Sequence, residues 1–230
     1  MPRPTRFNVS NIPQCVVQSG ADWARTFNYH DDYQNYLESL RQAAAHYGCE
    51  LHAYALLPNR VQLLVTPHSE TSVAQMMQSL GRRYVQYFNR RYNRSGTLWN
   101  GRYKSCLVEP GEHMLQCYRY VDTLAAIAGV VNDALDYPWS SLRQHVGIAP
   151  RIVADDASWL AQAPALGERL QAYAERVSTP MAAETIKEIN MNVVQGSVYG
   201  GEAFRAAIER QCGQKVRPRP RGRPPLCRAS

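Results

Sequence analysis

The segment ELHAYALLPNRVQLLVT, residues 50–66, holds two apolar runs joined by Leu57-Pro58-Asn59. Short runs of this kind bounded by turn residues read as strands, and two so close together read as a hairpin, with Glu50 to Leu57 and Arg60 to Thr66 as its arms. Upstream, Tyr33, Tyr36, Leu37, Leu40, Ala44 and Tyr47 recur at helical spacing, which predicts a helix over about 31–47. Before it, Ile12 to Gln18 reads as a strand closed by the loop Ser19-Gly20-Ala21-Asp22.

Downstream, a helix is predicted over about 72–92, ending before Asn93-Arg94-Ser95-Gly96, and Arg102 to Glu109 makes a fourth strand. The order strand, helix, strand, strand, helix, strand is the ferredoxin-like βαββαβ arrangement, an α+β fold with an antiparallel sheet. A third long helix is expected from about Glu112 to Val131, stopped by Asp136-Tyr137-Pro138-Trp139-Ser140-Ser141, with the core domain (1–148) ending there. Beyond it, Ser158–Gln162, Leu166–Val177, Ala182–Ile189 and Glu202–Gln211 read as short helices of a small helical appendage (149–213). The Arg- and Pro-rich stretch 214–230 is expected to be disordered when free.

The 230-residue chain carries 26 Lys and Arg against 19 Asp and Glu, a formal charge of +7, and 45% hydrophobic residues. That composition is globular, and its charge favours a polyanionic partner. The excess is local: Arg82, Arg83, Arg90, Arg91, Arg94, Arg102 and Lys104 fall between Thr71 and Val108, where there is no acid. Residues from Arg210 onward are similarly basic. Six cysteines without a Cys-x-x-Cys pair signal neither a zinc site nor a disulfide framework, but buried thiols. No apolar stretch approaches the ~18 residues of a membrane span, and the N-terminus lacks an apolar leader, so a cytoplasmic location is expected.

The block SLGRRYVQYFNRRYNRSGTLWNGRYK (79–104) interleaves Arg with Tyr, Phe and Trp. Cations neutralise phosphates while aromatic faces stack on unpaired bases, so the mixture suits single strands or hairpin loops. Arg83, Tyr87, Arg90 and Arg91 can share a helical face, and Trp99, Arg102 and Lys104 extend the candidate surface; the bland alternative is a solvated cationic helix whose aromatics are core. In the tail, Arg221-Gly222-Arg223-Pro224 is similar to a hook that lays two guanidinium groups in a narrow A·T minor groove, or is a general phosphate-binding tail. Tyr120, mid-helix in CYRYVD (117–122), reads locally as a core tyrosine.

Taken together, MPRPTRFNVSNIPQCVVQ (1–18), HAYALLPN (52–59), the block 79–109, CYRYVD, DYPWSS (136–141) and the closing RGRP resemble the REP-associated tyrosine transposases, single-tyrosine members of the superfamily named for its His-hydrophobic-His metal motif. The resemblance implies single-stranded or hairpin palindromic-repeat DNA as partner, Tyr120 as the nucleophile, and a divalent metal, usually magnesium, held by two strand histidines and a polar residue one turn after the tyrosine. A monomer or a homodimer is compatible with it.

This chain departs from the family at those positions. The family's M-P-N-H-V-H strand is here Leu57-Pro58-Asn59-Arg60-Val61-Gln62, its polar run after the tyrosine is Leu124-Ala125-Ala126-Ile127, and its Arg-Gly-Asn is Ser19-Gly20-Ala21. Residues 60 and 62 emerge on one strand face, as paired ligands must. A guanidinium has only donors and a positive charge, Gln62 offers one amide oxygen and Leu124 nothing, so no metal site is expected. Magnesium or manganese enters only if the chain is an active transposase after all. His52 is read as structural and His68 as solvated. The expectation is a DNA-binding protein of the transposase family whose metal-dependent cleavage is lost. The alternatives are an active tyrosine transposase that cuts and joins single strands in DNA transposition and recombination, and an RNA-binding regulator. Against the last, the strands lack the aromatic signature of common RNA readers. Leu124 and Ile127 are expected to form an exposed apolar face.

Overall fold

A computed structural model describes residues 7–216. The basic tail, with Arg221 and Arg223, lies outside the described residues. The chain runs β1 (Gln14–Ser19), a 3-10 turn (Ala21–Trp23), α1 (His30–His46), β2 (Cys49–Leu57), β3 (Arg60–Pro67), α2 (Ser72–Arg91) and β4 (Lys104–Val108). It continues through α3 (Glu112–Asp122), α4 (Leu124–Ile127), α5 (Leu142–His145), α6 (Ala157–Leu160), α7 (Leu166–Ser178), α8 (Ala183–Gln195), β5 (Val198–Tyr199) and α9 (Glu202–Cys212). The sheet order is β2-β3-β1-β4-β5. Its first four strands are antiparallel neighbours in the ferredoxin-like order expected from the sequence, and β5 adds to β4 in parallel.

Alternation along the strands sends side chains to two cores. Val61, Leu63 and Val65 of β3 face α1 and α2, meeting Tyr36, Leu40, Met76, Leu80 and Tyr84. Ala55 of β2, Leu64 of β3 and Cys15 of β1 face the other way, toward Tyr118, Tyr120 and Val121 of α3. Each large apolar side chain so buried contributes about 1.5–3 kcal/mol. The start of α1 and the end of α2 are tied by Asp32, which is fully buried and accepts from the hydroxyls of Tyr92 (2.7 Å) and Tyr87 (3.1 Å) and from the backbone N–H of Asn28 and Tyr29.

The DYPWSS segment has a structural task. Leu56 N–H donates to the Trp139 carbonyl, Ser141 N–H to the Tyr54 carbonyl, and the Tyr137 hydroxyl to the Leu56 carbonyl. It thereby covers the open edge of β2, whose unpaired groups would otherwise invite another strand.

Three expectations need correction. The third helix does not run to Val131: α3 stops at Asp122, where Thr123 turns its hydroxyl back onto the Arg119 carbonyl (2.7 Å), a bond that bends helices, and Gly129 at φ +67° reverses the chain after α4. The fourth strand begins at Lys104 rather than Arg102, because Gly101 (φ +67°) bows the chain away from β1. Leu124 is buried, so only Ile127 of the supposed exposed apolar face is open to solvent.

Residues 149–213 are helical with the addition of β5, and they share the core of the sheet: Trp159, Tyr173, Ile189 and Val193 pack in the cluster that contains Tyr118 and Tyr120. The link is polar too. Asp122, fully buried at the end of α3, accepts from Ser141 Oγ (2.5 Å), is 2.6 Å from His145 Nδ1, and accepts from the Tyr173 hydroxyl (2.7 Å). Among the described residues no helix is long and apolar enough to cross a membrane.

Candidate tyrosine site and nucleic-acid interface

Register places the chemistry. Arg60 pairs with Ser19 and Gln62 with Val17 on β1, and both side chains emerge on the α3 face. There α3 packs across β2, β3 and β4 and delivers Tyr120, while α8 packs on β4 and β1 and delivers Asn190. Arg60 Nη2 donates to the Tyr120 hydroxyl at 2.8 Å and to Gln62 Oε1 at 2.6 Å. The Tyr120 hydroxyl in turn donates to Asn190 Oδ1 at 2.7 Å. Gln62 Nε2 donates to Cys15 Sγ at 3.0 Å. Tyr120 is fully buried, and that burial pushes its hydroxyl up to about 12, with Arg60 and Asn190 pulling the other way.

A divalent cation does not fit these residues. Position 60 is a guanidinium, the only oxygen of Gln62 is taken up by Arg60, and position 124 is a buried leucine. Among the described residues no cluster of three His, Cys, Asp or Glu side chains is arranged to hold a metal. His52 is buried, with Nδ1 3.0 Å from the Ala154 carbonyl and Nε2 2.8 Å from Thr66 Oγ1; His68 is an exposed partner of Glu50. Cys15, Cys106 and Cys117 are buried free thiols on the same face, and burial pushes Cys106 and Cys117 well above the ordinary thiol range.

Arg60 and Asn190 open onto a cleft of about 340 Å³ that is also lined by Arg102, Lys104, Asn100 and Trp23, with no acidic residue. Trp23 is 66% exposed, and it and Asp22 hold left-handed backbone (φ +60° and +49°). Such conformations are uncommon outside glycine and cluster where a surface is shaped for use. Sequence reasoning missed Trp23, a lone aromatic in a loop, and Asn190, which no local pattern distinguishes.

The structure brings together only part of the basic block. Arg102 and Lys104 reach the cleft, and Arg82 and Arg102 line a groove beside α2. Arg90 is exposed. Arg83 donates to Gln42 on α1 (2.8 Å), and Arg94 lies over the Phe88 ring and donates to the Thr97 carbonyl. Arg91 pairs with Asp31 at 3.0 Å and donates to the Tyr87 hydroxyl, whose own proton goes to Asp32. Trp99 is 7% exposed, against Tyr36 and Tyr84. The acid-free stretch of sequence is thus partly neutralised in space by acids from α1.

The site is thus a helical tyrosine set over two alternate positions of β3, on the face of a ferredoxin-like sheet opposite α1 and α2. Residues 21–123 match the family described as "Transposase IS200 like". No curated protein sequence matches significantly. The fold is similar to that of a REP-associated tyrosine transposase solved bound to a REP hairpin, with TM-score 0.52 and 13% identity over 69% of this chain and 93% of that one. A structure from Deinococcus radiodurans described as a transposase aligns with TM-score 0.37 and 22% identity over 57% of this chain and 96% of that one.

Proposed function

We propose that this protein binds single-stranded or hairpin DNA of palindromic repeats inside the cell and has lost the metal-dependent strand cleavage of its family. The observation that carries this reading is the hydrogen bond from Arg60 to the Tyr120 hydroxyl, 2.8 Å long. A fixed cation stands at a position the resemblance assigns to a metal ligand, and a cation there repels a divalent ion rather than binding it. Arg60, Arg102 and Lys104 together line one acid-free cleft, a surface suited to phosphates. Trp23 at the same cleft offers an indole face to an unpaired base.

Tyr120 supports binding better than attack. Its hydroxyl is protonated at neutral pH, since burial pushes it up to about 12, and it already donates to Asn190. Without a Lewis acid the transition state lacks several kcal/mol of charge stabilisation. Arg60 can grip a phosphate, but it does so before and during reaction alike, and uniform binding does not accelerate chemistry. Electrophoretic shift of a palindromic hairpin, with and without a single-stranded extension, tests the binding half. A salt-sensitive shift is the expected result, and no shift at low salt overturns it.

A further inference from the structure

The cleft is not the whole of the charged surface. Between α2 and residues 97–103 runs a groove of about 790 Å³, and it shares two lining residues, Gln18 and Arg102, with the cleft at Arg60. The reason is a local departure from sheet geometry. Val17 pairs with Lys104 and Gly20 with Trp99, so two residues of β1 face four of the neighbouring segment. The extra residues bow outward at Gly101 (φ +67°), so the sheet has a gap at which the two depressions meet.

We infer that this groove receives an unpaired base of the DNA strand whose phosphates lie in the Arg60 cleft; the inference rests on the DNA-binding reading above. Its chemistry fits a base better than a phosphate. The walls are largely apolar, with Met77, Leu98 and Trp99 among them, and no lining residue is acidic. Arg82 and Arg102 supply cations for flanking phosphates.

Polar groups in the groove match the edge of a base. Gln75, Gln78 and Gln86 lie on the exposed face of α2 in line with Arg82, and the side-chain amides of all three make no hydrogen bond with any described residue. Two further atoms are unmet inside the wall: the indole N–H of Trp99 and Oε1 of Gln18, in side chains 7% and 8% exposed, have no hydrogen-bond partner among the described residues. A buried donor and a buried acceptor left unpaired are costly, and both side chains would have to turn toward the groove to pair with an occupant. Continuity with the cleft decides the source: a strand passing Arg102 has its next base at the groove mouth.

Gly81 provides the test, because a Cβ there meets only Trp99 Nε1, at 3.9 Å, so a larger side chain enters the groove without backbone strain. The experiment is fluorescence anisotropy with full-length protein and a hairpin bearing a single-stranded extension, an abasic site being walked along the extension. With native protein, one position is expected to lose about tenfold in affinity, the scale of one buried base. That loss is expected to vanish in Gly81→Met and to persist in Gly81→Ala. The double variant Gln78→Ala with Gln86→Ala, confined to the exposed helix face, is expected to shrink it with an unchanged urea midpoint. An abasic profile that is flat in native protein, or a loss that survives both the Gly81→Met and the glutamine variants, overturns the groove assignment alone. Failure of the native protein to bind the unmodified hairpin overturns the DNA-binding reading and this one with it.

Discussion

The guanidinium of Arg60 and the hydroxyl of Tyr120 lie 2.8 Å apart, with the tyrosine accepting, on side chains 60 residues apart in the chain. The same hydroxyl donates to Asn190 at 2.7 Å, so both of its hydrogen-bonding roles are filled within the protein. A nucleophile must surrender one of these contacts and emerge from full burial before it can approach a phosphate.

Alkaline stability follows from the buried tyrosines. Burial pushes the hydroxyls of Tyr120 and Tyr54 up to about 12, above the ordinary tyrosine value of about 10. The folded state therefore holds protons that the unfolded chain releases first, and unfolding free energy falls as pH rises above that value. Urea titrations are expected to show a midpoint that begins to fall above pH about 8.5, where the buried thiols ionise only in the unfolded chain, and falls steeply between pH about 10 and about 12. A midpoint insensitive to pH over that window contradicts the buried, protonated tyrosine.

Asp122 is a fully buried carboxyl held by three partners from two segments, Ser141 and His145 at the two ends of α5 and Tyr173 on α7. Asp122→Ala leaves these groups without their acceptor, and breaking such a buried network costs about 3–5 kcal/mol. Tyr173→Phe removes one bond and is expected to cost about 1–2 kcal/mol. Equal stability of native and Asp122→Ala proteins in urea argues against the network.

The arginines are expected to divide into two groups. Replacing Arg102 and Lys104 together by alanine removes two phosphate contacts, lowering the slope of log affinity against log salt by about 1.4 on single-stranded DNA. Arg91→Ala is expected to leave that slope unchanged and to lower stability instead, since Arg91 pairs with exposed Asp31 and also lies 3.6 Å from the fully buried Asp32. Salt titrations of both variants check this, and an equal loss of slope in the two contradicts the structural assignment of Arg91.

Trp23 is expected to matter for binding and not for folding. With the indole 66% exposed, Trp23→Ala buries no less core, yet it removes a stacking face worth about 1–3 kcal/mol per base. Affinity for a single-stranded extension is expected to fall about tenfold with the urea midpoint unchanged. An unaltered affinity places the strand elsewhere.

Much of the fold could be read in the sequence because its signals are local. Two apolar runs around Pro58-Asn59 give the hairpin, and periodic Tyr36, Leu40, Met76, Leu80 and Tyr84 give the helices that cover one face. The alternation that puts Arg60 and Gln62 on the face of Tyr120 is local as well. What escaped is set by distance along the chain. Asn190 lies 70 residues from the tyrosine it touches, β5 is two residues long, and the neutralisation of Arg91 by Asp31 spans 60 residues. Charge along α2 could be counted in sequence, but which arginines stay free depends on the helix packed beside it.

The most direct test of the central claim is a covalent-adduct assay. Protein is incubated with labelled single-stranded hairpin DNA and magnesium or manganese, then resolved under denaturing conditions beside a native gel of the same mixtures. The expected result is a salt-sensitive native complex with no adduct in either metal. A metal-dependent adduct that disappears in Tyr120→Phe contradicts the account.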